Sequence, residues 1–348
     1  MSRILIVFVV LIFGVACKKD RPDDTAGVAE ISGAQGVFIG SEGNFQFGNS
    51  SLSYYDYSSD EVSNDVYQNA NSSVLGDVLQ SIYQDASTMY LVMNNSSKIE
   101  MMDRYTFKSK GAIDGFVSPR CFLPVSNSKA YVTDLYSNSI QVVDLNQNNV
   151  VSSLKTSGWT EEMLLLYGKA FVCNKSKDLL YVIDTSTDKI VDSITVGFSP
   201  SSLQQDKNGM LWVLCQGSLS SGAELPGLYQ VNPVSFAVEK IFKFSVGDQV
   251  SKLNINGGND TLFYLCNTGN KGVNKLSINA NSLPSSPFIA PNSGENYYGL
   301  GVNPRNGDVF VSDAVDYLQK STVSRYDRGG KFLNYISAGI NTSSFSFN

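Results

Sequence analysis

An all-β fold is what this sequence predicts, and three observations carry it. Ser, Asn and Gly are abundant, and no long stretch holds an apolar period of about 3.6 residues, so helix signals are poor. Short apolar runs alternate throughout with tight-turn residues. Strands opening on an aromatic residue recur at Phe38, Tyr90, Tyr131, Phe171, Trp212, Phe263 and Phe310, with gaps of 52, 41, 40, 41, 51 and 47 residues. Gaps of that size lie in and slightly above the range of four-stranded propeller blades, and seven openings imply seven blades.

The clearest unit covers 170–209. It reads as a strand from Phe171 to Cys173, a second ending in Asp184, a third from Lys189 to Val196 and a fourth after Pro200, closed by Lys207-Asn208-Gly209. In most units the strand after the aromatic one ends in Asp or Asn, as at Asp56, Asp103, Asp144, Asp184, Asn232 and Asp327, whose side chains cap tight turns. Register then gives closure. The chain begins on the second strand of a blade at Val37, and its last segment, Ser343 to Phe347, fills the innermost slot of that same blade. A closed ring protects its edge strands. A stacked β-helix or a pair of sandwiches would not keep a unit with four corners. The expected organisation is therefore a signal segment at 1–16, a tether at 17–33 and a seven-bladed β-propeller of four-stranded antiparallel blades at 34–348.

The corners sort onto two faces. Connections from innermost to second strand are short, as at Asn127-Ser128, Asn208-Gly209 and Asn306-Gly307, and need no functional explanation. Connections after second and fourth strands lie on the opposite face and lengthen at 41–49, around Trp159, and at 216–227, 291–299 and 313–319. Long loops gathered on one face of a rigid scaffold are where binding is usually built.

Composition narrows the chemistry. The formal charge of −6 and the lack of a Lys/Arg cluster beyond Lys18-Lys19 argue against nucleic acid. The chain has no histidine, which removes Ser-His and Cys-His nucleophile systems and His-ligated zinc. No calcium-loop pattern or G-x-S-x-G elbow occurs, so neither a metal nor a resident cofactor is expected, and an enzyme is not expected. Of five cysteines, Cys121, Cys173, Cys215 and Cys266 are expected to be buried free thiols; Cys215 and Cys266 hold equivalent positions in successive units, too far apart for a disulfide. Cys17 follows Arg3 and an apolar run from Ile4 to Phe13 that is too short to span a bilayer and fits a secretory signal.

Candidate ligand contacts are the residues of the long-loop face: Asn44, Phe45, Phe47, Arg120, Tyr136, Trp159, Tyr297, Tyr298, Asp316 and Tyr317. Phe45 and Phe47 alternate with Asn44 and Gln46, and rings mixed with amides suit a large, flat, partly apolar ligand. Arg120 follows Ser118-Pro119 near the ring axis, where it either takes a carboxylate, amide or phosphate or pairs with Glu161 or Asp77.

Three resemblances add to this reading. Phe13-Gly14-Val15-Ala16-Cys17 resembles a bacterial lipobox, and Lys18-Lys19-Asp20 after it resembles the surface-export signal of Bacteroidetes lipoproteins. Tyr131-Val132-Thr133-Asp134 with Ile140 to Asp144 resembles the YVTN repeats of YncE-like propellers. Ser41-Glu42-Gly43-Asn44-Phe45-Gln46, Leu75-Gly76-Asp77-Val78, Tyr297-Tyr298-Gly299-Leu300 and Asp313-Ala314-Val315-Asp316-Tyr317 together are similar to BtuG-type surface lipoproteins of Bacteroidetes. That resemblance implies capture of cobalamin or a related corrinoid as cargo, hand-over to a TonB-dependent outer-membrane barrel, and a lipid anchor on Cys17 exposing the protein at the cell surface. The alternatives are a scaffold gripping a protein or glycan and, less favoured, a propeller lactonase with a metal held by carboxylates on the axis.

Overall fold

The computed structural model describes residues 35–218 and 224–348. Their strands form seven antiparallel sheets, blades 1 to 7 in chain order. Blade 1 is built from Gly36–Ser41, Ser51–Asp56 and Glu61–Ser63, with Thr342–Phe347 added on its inner edge. Val37 pairs with Phe347 and Ile39 with Phe345, so the last strand closes the ring as the register predicts.

The innermost strands of blades 2 to 7 are Leu79–Gln84, Pro119–Ser126, Thr160–Leu166, Pro200–Gln205, Val250–Ile255 and Tyr297–Val302. All seven aromatic openings fall on second strands. The repeat seen over 170–209 is offset from the blade by one strand. Pro200–Gln205 pairs with Leu211–Cys215 and so opens blade 5.

The central residues of the second strands are apolar because both of their faces are covered. Side chains alternate along a strand: Phe38 packs with Leu79 and Met89 of blade 2, whereas Val37 and Ile39 pack with Phe310 and Val323 of blade 7. The core is therefore a ring of clusters between blades. Corners follow the Asx chemistry expected: Asp184 Oδ1 accepts from the backbone N–H of Ser186 at 2.9 Å and Thr187 at 3.1 Å, and Asn232 does the same for Val234 and Ser235.

Two places depart from the regular unit. Blade 6 has three strands, and its outermost position is taken by a segment joined through one bridge, Val273 to Ile289. Pro284 and Pro287 in that segment have no N–H to give a ladder. In blade 1 the outermost strand is three residues long, and the helix Val66–Asn71 follows it, burying Val66, Tyr67 and Ala70.

The lipobox, Cys17, the tether and 219–223 lie outside the described residues. Among the described residues no helix is long and apolar enough to cross a membrane. Cys121, Cys173, Cys215 and Cys266 are unpaired; three are buried, while Cys121 is only partly so.

Candidate functional site

A propeller crowds its innermost strands at the axis, and here the crowding is relieved in one recurrent way. Each of the six innermost strands of blades 2 to 7 carries a register shift within its first few residues, as between Thr160 and Met163 or Ser251 and Asn254. A bulge re-aims side chains. Consecutive residues can then both border the axis: Glu161 with Glu162, Ser201 with Ser202, Ser251 with Lys252. With Glu42, Gln80, Arg120, Lys175 and Tyr298 they line a cavity of about 410 Å³ at the long-loop end of the axis.

The centre of this mouth is an ion pair. Arg120 Nε donates to Glu161 Oε2 at 3.0 Å and Nη2 to Oε1 at 2.8 Å, while Nη1 donates to Gln80 Oε1. Trp159 Nε1 donates to Glu161 Oε2 and the guanidinium lies 5.1 Å from the Trp159 ring centroid. Burial raises the Glu161 carboxyl, but Arg120, Lys175 and the Trp159 N–H together outweigh it and hold Glu161 below its ordinary range. Of the two partners open to Arg120 in the sequence, Asp77 is engaged elsewhere, by the Gln46 N–H at 2.8 Å and Asn95 Nδ2 at 2.6 Å.

Glu162 behaves oppositely. Its Oε2 accepts from the Leu203 N–H at 3.0 Å, and burial pushes its carboxyl up to about 7 against the opposing pull of that bond, of Lys252 and of the Ser202 hydroxyl. Two neighbouring glutamates are thereby split, one ionised and one titrating near neutrality. Across the axis Tyr298 donates to Glu42 Oε2 at 2.8 Å and meets Tyr317 edge-on, with centroids 5.8 Å apart.

Of the residues expected from the sequence, Arg120, Tyr297, Tyr298 and Tyr317 line the mouth. Tyr297 is otherwise a core residue, buried among Phe263, Leu300 and Val311. Trp159 reaches the mouth through Glu161 and Arg120. Asn44 sits behind the rim, its Nδ2 donating to the Tyr317 carbonyl at 2.7 Å. Phe45, Phe47 and Tyr136 stand out from the same face at 62%, 76% and 69% exposure, so nothing in the fold uses their rings as packing. Asp316 caps its own turn, accepting from the Leu318 and Gln319 N–H groups at 2.9 Å. Sequence reading missed Glu42, Gln80, Glu162, Lys175, Lys252 and Asn267. Their signal was positional: first residues of innermost strands, or the residue following a second strand.

Fold and mouth together define a seven-bladed β-propeller with a polar, charged opening on its axis. The chain belongs to the family described as domain of unknown function DUF5074, whose model matches residues 35–338. No curated protein sequence matches it. Similar solved structures include a quinonprotein alcohol dehydrogenase-like protein of Bacteroides thetaiotaomicron, at 16% identity and TM-score 0.69 over 93% of this chain and 79% of that one. A Bacteroides fragilis protein described as a candidate 6-phosphogluconolactonase aligns at 10% identity and TM-score 0.69, covering 90% and 98%. A periplasmic gluconolactonase of Pseudomonas aeruginosa aligns at 12% identity and TM-score 0.67, covering 90% and 98%. Such identities carry the fold alone. None of these names is that of a YncE-like or corrinoid-binding protein.

These likenesses correct one expectation. The absence of histidine led to the expectation of no enzyme, yet structures named for lactone hydrolysis share this fold. The physical reason is that ester hydrolysis needs a base and a place for an oxyanion, and carboxylates and cations supply both. Among the described residues no three His, Cys, Asp or Glu side chains are grouped as metal ligands. The mouth's three glutamates, Glu42, Glu161 and Glu162, stand among three cations, a donor set that does not suit a divalent ion.

Proposed function

We propose that this chain is a ligand-capturing propeller whose axial mouth takes a corrinoid or a comparable amide-fringed ring at the cell surface. On this reading it is anchored by lipid on Cys17 and hands its cargo to a TonB-dependent barrel. The observation that supports it most is the convergence of Arg120, Glu161, Tyr298 and Glu42 on one cavity whose face also presents Phe45, Phe47 and Tyr136 to solvent. Rings supply contact area and fixed polar groups supply orientation. Asn267 adds an acceptor: it lines the mouth and its buried Oδ1 has no hydrogen-bond partner, which suits an amide N–H. The cavity admits side groups, while a flat ring would lie across the rim.

Calorimetry with cyanocobalamin tests this. Saturable heat is expected, weakened about tenfold in Phe47→Ser and in Trp159→Ala, since losing one ring contact is worth on the order of 1 kcal/mol. No heat and no thermal stabilisation by any corrinoid would overturn it, and a pull-down yielding only a protein or glycan would favour the scaffold alternative.

One observation supports a second reading, lactone hydrolysis at the same mouth. Glu162, with its carboxyl near 7, is suited to exchange a proton at neutral pH. As base it would take a proton from water while the water oxygen bonds to the lactone carbonyl carbon. The ring C–O bond then breaks, and the proton passes to the leaving oxygen. Glucono-δ-lactone opening above the buffer rate, abolished in Glu162→Gln, is the expected result; equal rates with and without protein exclude it.

A further inference from the structure

The carboxylates and cations of the mouth do not balance as partners. Glu161 is taken by Arg120 and Trp159, Glu42 by the Tyr298 hydroxyl, and Glu162 by the Leu203 N–H and the Ser202 hydroxyl. Two lysines are left without an ion pair. Lys175, on the residue after the second strand Lys169–Asn174 of blade 4, has its Nζ 4.2 Å from the Trp159 ring centroid. Lys252, in blade 6, gives one hydrogen bond, to the Ser343 carbonyl at 3.1 Å.

An ammonium carries three donors, and partly buried ones left unfilled are costly. Lys175 shows the cost: burial pushes it below its ordinary value, and the cations Arg120 and Lys252 act in the same direction against Glu161. Lys252 is held at φ 56, a left-handed conformation that a residue with a side chain rarely adopts, inside the bulge at the start of its strand. Such strain persists where the surroundings over-determine it and often marks function.

We propose that Lys175 and Lys252 form a receptor for an oxyanion, a phosphate or carboxylate group, on the ligand that the axial mouth takes. The inference rests on the mouth being the ligand site, and it adds that the ligand is anionic at one end. Arg120 does not compete for this role, because its fork is already filled by Glu161 and Gln80. The anion would complete the donors of both ammonium groups and relieve their mutual repulsion. Trp159, beneath Lys175, is a built-in reporter, since the other tryptophan, Trp212, is fully buried in the blade 5 core.

The test is tryptophan fluorescence of the full chain titrated separately with inorganic phosphate and with acetate. Saturable change is expected with at least one anion, weakening as salt rises. Lys175→Met and Lys252→Met should each weaken it about tenfold or more, the loss of one charge-assisted contact. Lys175→Arg and Lys252→Arg, which keep the charge, should retain it, separating charge from folding. No saturable change with either anion, or affinities unchanged in both Met variants, overturns the receptor. Calorimetry of the same variants with cyanocobalamin distinguishes the two ideas. Phosphate binding without corrinoid binding leaves the receptor standing and sinks the cargo, whereas corrinoid binding that ignores both Met substitutions sinks the receptor alone.

Discussion

Arg120 and Glu161, on the innermost strands of adjacent blades, are joined by two parallel hydrogen bonds at 3.0 and 2.8 Å and are almost enclosed. The pair ties blade 3 to blade 4 at the axis, and it fixes Trp159 from one side and Gln80 from the other. It is thus a structural clasp and a wall of the mouth at once.

Removing one partner leaves the other charge without its complement in a site shielded from water. Glu161→Gln is expected to lower unfolding free energy by about 3 kcal/mol, the usual order for breaking a buried pair. The double variant Arg120→Met, Glu161→Met should recover most of that loss, because both charges then leave together. Urea denaturation of the parent, Arg120→Met, Glu161→Met, Glu161→Gln and the double variant checks both statements, and additivity of the two Met losses in the double variant would show that the pair is not coupled.

Glu162 should make stability depend on pH. Around it stand Glu161, Lys252, Arg120 and Lys175, and burial holds its proton up to about 7 where the unfolded carboxyl lets go near its ordinary 4.5. The folded state therefore binds more protons than the unfolded state across that interval. Stability contributed by this group is lost as pH rises from about 4.5 to about 7, and the penalty is constant above. Glu162→Gln is expected to melt above the parent at pH 8 and to show no such advantage at pH 5. An equal difference at both pH values would assign the effect to packing.

Ring closure should be all or none. The strand Thr342–Phe347 supplies the innermost position of blade 1 and also contacts both neighbours: Ser312 Oγ donates to the Thr342 carbonyl at 2.6 Å, and Gln84 Nε2 donates to the Phe347 carbonyl at 2.5 Å. Its removal exposes the edge of Gly36–Ser41 and uncovers Phe310. A chain ending at Asn341 is expected to aggregate or to lose its cooperative melt, measured by circular dichroism and gel filtration. A monomer with an unchanged melting curve would contradict this.

Much of the architecture was legible because it is local or periodic. Aromatic residues marked second strands since those strands are covered on both faces. Asp and Asn marked their ends since an Asx turn is closed within four residues. Even the closing strand could be placed, because the missing position in the first blade and the surplus segment at the end are one repeat apart in register. Blade 6 was less legible. Its missing outer strand depends on Pro284 and Pro287, which read equally well as an ordinary loop.

The mouth divided along the same line. Arg120 and Tyr298 were foreseen because each stands at the start of an innermost strand in a conspicuous local motif. Glu162, Lys175 and Lys252 were not, since each is an ordinary polar residue in its own repeat. The sequence by itself determined seven units, their corners, their closure and the face that carries long loops, all of which follow from periodicity and turn chemistry. Only the tertiary structure decided which charges meet, that Arg120 takes Glu161 and leaves Asp77 to the rim, and that two lysines line the mouth without a direct ion pair. The physical reason is that such contacts run between blades, as across the 41 residues from Arg120 to Glu161, and are set by bulges that aim side chains at the axis.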